Sequence, residues 1–156
     1  MAAEYLANAP QTVALNNPLI FTASIPCRRG WVYHEDETGI FILKGLVKNA
    51  CDCFATYRVT YNGNIGIVDG GAITPIGVAL VVNGEPRPTS RAIFVPTGTV
   101  ADNDLGNVTS TAIIKVPKGC CFSLSVEYVS GVDDPAVTPT PQISVVNSNL
   151  VIDRIA

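Results

Sequence analysis

The chain has 156 residues, of which 47% are hydrophobic and only 15% charged, with a formal net charge of −3. The apolar content excludes intrinsic disorder, and an acidic balance with no basic cluster beyond Arg28-Arg29 argues against a nucleic-acid-binding surface. A compact monomer of this mass exposes roughly 7,500 Å², which 10 basic and 13 acidic side chains cover thinly, so a domain that hides surface against copies of itself stays open.

Residues 1–10 carry Glu4 and no basic residue ahead of an apolar stretch. They do not read as a signal peptide and are taken as an N-terminal arm without a strand, ahead of one domain at 11–156. Helical periodicity is nearly absent. Period-two alternation broken by Gly, Pro and Asn recurs instead. Strands are expected at Thr12–Thr22, kinked by Asn16-Asn17-Pro18, and at Ile40–Lys48. Tyr57, Val59, Tyr61, Ile65 and Ile67 then alternate with Arg58, Thr60, Asn62 and Asn64. The phase survives Asn62-Gly63, which predicts one long strand with a bulge or bend there rather than a hairpin. Further strands are expected at Ile73–Val82, Arg91–Val95 and Val108–Val116, then at Cys120–Tyr128 and Ile143–Ile155. Asn83-Gly84-Glu85-Pro86, Asp102–Gly106 and Pro117-Lys118-Gly119 supply the turns. Residues 131–141, with three prolines, read as an exposed loop. Eight or so short strands predict an all-β, antiparallel sandwich or jelly roll. Ile40–Leu43, Ile76–Val82 and Leu150–Ile152 are apolar on both faces and ask for a second covering surface, such as another copy. No apolar run approaches the roughly 20 residues of a membrane helix, so no membrane partner is expected.

The five cysteines are Cys27, Cys51, Cys53, Cys120 and Cys121. Neither Cys51-x-Cys53 nor Cys120-Cys121 has the spacing of a zinc-binding pair. Alternation puts Cys120 in the core and Cys121 outside, leaving buried thiols or a disulfide, with Cys51 or Cys53 near Cys120. The single His34 has no Gly-x-Ser-x-Gly elbow or other nucleophile pattern with it, so no enzyme activity and no cofactor are expected. Glu35-Asp36-Glu37 and Asp102-x-Asp104 have calcium-ligand chemistry, but acids in turns more often form the turn. Asp133 and Asp134 lie in the Pro-rich loop, where a glycosidase pair has no groove. Asp69-Gly70-Gly71 lacks the Lys-Ser/Thr of a phosphate loop. Asn107-Val108-Thr109 matches a glycosylation acceptor by chance, and Trp31 and Tyr33 suit a core or interface better than a sugar platform.

Several segments together resemble the jelly roll of the tumour-necrosis-factor and complement-globular-head family, in its bacterial and phage branch. They are Gln11–Phe21, Gly39–Leu43, Ala55–Tyr61, Val78–Gly84, Val116–Leu124 and Asn149–Ile152, in that order over residues 11–155. The resemblance implies an eight- to ten-stranded jelly roll that assembles as a homotrimer. Its apolar strand faces would meet at the three-fold, with Phe41, Leu43, Tyr57, Tyr61, Leu80, Val82, Phe122, Leu150 and Ile152 as trimer-interface candidates. The function it implies is a non-enzymatic virion component, a phage head fibre or capsid decoration subunit assembled in the host cytoplasm. Phage capsid proteins would be its partners, attached through Glu4, Tyr5 and Leu6 of the arm. The alternative is a trimeric head, carried on a phage, bacterial or spore surface, that binds host-surface glycans or receptors. Loops 97–107 and 131–141 would be the exposed tips.

Overall fold

The computed structural model describes residues 2–25, 30–35, 37–132 and 140–156. The long alternating segment is one strand, β6 (Phe54–Ile67). It pairs residue for residue with β10 (Gly106–Pro117), from Gly106 opposite Ile65 to Pro117 opposite Phe54. Its other edge pairs with β12 (Ile143–Arg154), which carries a bulge between Val145 and Asn147. The expected irregularity therefore lies in the partner strand, not at Asn62-Gly63. The extra residue has a consequence for side chains. Ile143 and Val145 face the core before the bulge, and Ser148, Leu150, Ile152 and Arg154 face it after. Gly63 belongs to the inward row, where a Cβ would collide with the Tyr61 hydroxyl. Its absence lets that ring lie along the strand, and burial pushes the Tyr61 phenol far above its ordinary range, the Ser148 side chain offsetting part of the effect.

The first sheet continues from β12 to β1 (Ala2–Ala7) and β3 (Ala23–Ile25), with β2 (Gln11–Val13) on the remaining length of β12. The second runs β4 (Val32–His34), β5 (Phe41–Lys44), β11 (Cys121–Ser130) and β7 (Ile76–Val82), edged by β8 (Glu85–Pro86) and β9 (Ala92–Phe94). All pairings are antiparallel, and the two inner faces share one core. This is the all-β sandwich of jelly-roll type that the alternation predicted.

Four expectations are corrected. Residues 2–7 are not an arm: β1 pairs with both β12 and β3, and Ala3, Tyr5 and Ala7 are buried. Tyr5 packs edge-on against Phe41 with ring centroids 4.6 Å apart, Glu4 accepts a hydrogen bond from Asn149, and Leu6 is half-buried. An attachment peptide needs free chain, which these residues do not offer. The interface candidates Phe41, Leu43, Tyr57, Tyr61, Leu80, Val82, Leu150 and Ile152 are buried inside the single chain, and half-buried Phe122 packs against the same core. They form the inner rows of the two sheets and are covered by each other. Likewise all seven residues of β7 are buried without a second molecule. Only Ile40, 45% exposed, and half-buried Ile42 and Val151 remain of the two-faced apolar segments. Finally, Cys120 is not in the core. It ends the turn Pro117–Cys120, closed by its N–H to the Pro117 carbonyl at 3.0 Å, and is exposed like Cys51, Cys53 and Cys121.

Candidate functional site

The outward face of the first sheet carries an unusual side-chain set. Register lines up Asn107, Asn64 and Asn147 across β10, β6 and β12, and next to them Thr109, Asn62, Asn149 and Leu6. A third row holds Thr111, Thr60, Val151 and Glu4, and a fourth Ile113, Arg58, Asp153 and Ala2. The amides bond to one another. Asn107 Nδ2 donates to Asn62 Oδ1 at 2.7 Å and Asn64 Oδ1 at 3.1 Å, and Asn64 Nδ2 donates to Asn147 Oδ1 at 2.8 Å. Thr111 and Thr60 meet at 3.3 Å, and Arg58 pairs with Asp153 at 2.9 Å. Asn8, Leu6 and the asparagines enclose a shallow depression of about 270 Å³.

Asparagine is depleted in strands, so five of them on three adjacent strands go against local propensity. A sheet face turned permanently to water usually carries lysine and glutamate, and here three of four rows hold one charge, Glu4. The two asparagine rows of this face are polar without being charged. Their amides donate and accept at once, which suits contact with a like face or with carbohydrate hydroxyls. Sequence reasoning saw that Arg58, Thr60, Asn62 and Asn64 face outward but chose interface residues by hydrophobicity. The usable signal was the density of asparagine in strands.

The remaining candidates resolve into structural roles. His34 stacks on Phe41 with ring centroids 4.4 Å apart and sits 5.1 Å from Tyr5. Its Nε2 donates to the Thr38 carbonyl at 2.9 Å. It is a packing residue rather than a solvated one. Trp31 is buried beneath the Arg154 guanidinium, 4.2 Å from the ring centroid, and Tyr33 is exposed. Asp102 accepts the Thr99 N–H at 3.2 Å, and Asp104 accepts those of Thr97 at 2.5 Å and Gly98 at 2.7 Å. Both carboxylates staple the 97–106 loop. Among the described residues no group of three or more His, Cys, Asp or Glu is arranged to hold a metal. Asp36, Asp133 and Asp134 lie outside the described residues.

The backbone bonds from Thr97 and Gly98 hold the Asp104 carboxyl below its ordinary value. A depressed folded-state value adds stability above the unfolded pKa of about 3.9 and loses it as pH falls through the folded value. Asp104→Asn is therefore expected to lower the urea midpoint at pH 7 and to converge on the parent protein as pH drops below about 3.9. A gap that widens on acidification would contradict this account of the loop.

No protein-family model matches the sequence, and no curated protein does. Solved structures are similar in fold. The globular domain of a zebrafish complement 1qA protein aligns over 99% of this chain and 97% of its own, with a TM-score of 0.64 at 13% identity. Eiger TNF from S. frugiperda aligns over 100% and 92%, with a TM-score of 0.59 at 13% identity. Murine APRIL aligns over 97% and 98%, with a TM-score of 0.54 at 10% identity. The chain has the jelly-roll fold seen in tumour-necrosis-factor and complement C1q domains.

Proposed function

We propose that this chain is the subunit of a homotrimeric, non-enzymatic head, mounted on a virion as a head fibre or capsid decoration. The observation that carries the trimer is the uncharged amide and hydroxyl face of the first sheet, Asn62, Asn64, Asn107, Asn147 and Asn149 above Thr60 and Thr111. Three such faces turned toward a common axis satisfy each other's donors and acceptors, and the one charge in these rows, Glu4, already accepts a hydrogen bond from Asn149. The chain's low charge then falls where water is excluded. The virion role rests on the resemblance of the strand segments to the phage branch of the family. An amide-lined depression favours one second reading, a glycan-binding head on a phage, bacterial or spore surface.

Light scattering is expected to give three times the 16.4 kDa chain mass, and the protein is expected to sediment with purified capsids. A monomer in solution defeats the trimer. A trimer that never sediments with particles but binds on a glycan array defeats the decoration role in favour of the second reading.

A further inference from the structure

Both chain ends lie at one end of the sandwich. Ala2 pairs with Asp153, and the Ala156 carbonyl accepts the Thr56 N–H at 2.9 Å. The segment before β6 and the β10–β11 turn meet at this same end. Lys118 donates its N–H to the Cys53 carbonyl at 2.9 Å and its ammonium to the Ala50 carbonyl at 2.9 Å. Gly45 donates to the Cys120 carbonyl at 2.7 Å and accepts from Gly119 at 3.0 Å. A Cβ at Gly45 would run into the Pro117 carbonyl, so the close approach of the two segments needs glycine there.

These laced segments carry Cys51, Cys53, Cys120 and Cys121, all exposed and free. Cysteine is among the residue types most often buried, so four exposed thiols at one end call for a chemical role. Exposed Leu46, Phe54 and Ile155 stand among them. Closure within a pair is poorly served. Consecutive Cα atoms such as those of Cys120 and Cys121 sit about 3.8 Å apart, inside the roughly 4.4 Å lower limit of disulfides. Cys53 Sγ points at the Cys51 carbonyl, 3.9 Å away, rather than at its thiol. A second copy of this chain presents the same thiols beside the same apolar side chains.

We propose that this end is a site of disulfide cross-linking between copies of this chain. The oxidant is a low-molecular-weight disulfide. A thiolate of one copy attacks it and releases one small thiol. A thiolate of the second copy then attacks the mixed disulfide and releases the other. One S–S bond forms between copies, one is cleaved, and the two protein protons leave with the two small thiols.

The test exposes the purified full-length protein to oxidised glutathione and resolves it on a non-reducing gel, with peptide mass mapping of the product. The expected product is a covalent dimer, reversed by reductant and linked through the 51/53 or 120/121 thiols. With Cys51→Ser, Cys53→Ser, Cys120→Ser and Cys121→Ser combined, its yield is expected to drop at least about tenfold, circular dichroism confirming the fold. Four thiols left free, glutathione adducts alone, a bridge within one chain, or dimers linked through Cys27 would each overturn the proposal. Light scattering under reducing conditions reports the non-covalent trimer separately.

Discussion

Phe41→Ala is expected to lower the unfolding free energy by about 3–5 kcal/mol, with the assembly mass unchanged. Phe41 is 0% exposed within one chain and stands where the two sheets meet. Its ring touches Tyr5 of β1 in the first sheet and His34 of β4 beside it in the second. It also packs edge-on against Phe21, with ring centroids 5.5 Å apart. Truncation leaves a cavity lined by three rings that are themselves fixed by backbone pairing. The gap cannot collapse cheaply, and the aromatic contacts, each about 0.5–1.5 kcal/mol beyond burial, vanish with it. Urea unfolding at one fixed protein concentration measures the effect, since association adds a concentration-dependent contribution. A loss below about 1 kcal/mol together with dissociation into monomers would return Phe41 to a subunit interface.

The contrast between Phe41 as core and Phe41 as interface marks what alternation can say. Tyr57, Val59 and Tyr61 against Arg58, Thr60 and Asn62 made β6 legible, because period two fixes which residues share a face. It does not say what covers that face. In this chain the two inner faces cover each other, so the apolar residues that suggested a partner were already satisfied. β1 was missed because two of its three inward positions are alanines, Ala3 and Ala7, too weak a signal to set against Asn8 and Pro10. The bulge at Val146 hid another part. It puts Asn147 and Asn149 on the outward face only because one residue is left over, and the rows they form, Asn147 with Asn64 and Asn107 and Asn149 with Asn62 and Thr109, need register across three strands. Cys120 was misplaced by carrying the β11 alternation one residue past the strand's start at Cys121.

Asn64→Lys should turn the proposed trimer into a folded monomer. Asn64 is the middle of the amide chain. Its Oδ1 accepts from Asn107 at 3.1 Å and its Nδ2 donates to Asn147 at 2.8 Å. Lysine can donate but not accept, so Asn107 loses an acceptor and an ammonium enters a row that carries no charge. In one isolated chain this face is open to water, and the ammonium stays solvated. The cost to the fold is then about 1 kcal/mol, that of an exposed hydrogen-bond pair. Around a three-fold axis the same substitution brings three ammoniums together with no carboxylate in the row. An uncompensated buried charge costs about 3–5 kcal/mol, which is about a hundredfold or more in association for each copy. Light scattering and circular dichroism read the two halves of the prediction, mass and fold. Full retention of trimer mass would move the subunit contact off this face. Loss of glycan binding without a change of mass would give the amide row to carbohydrate instead. Asn64→Gln separates charge from shape, since it keeps both donor and acceptor and is expected to stay trimeric.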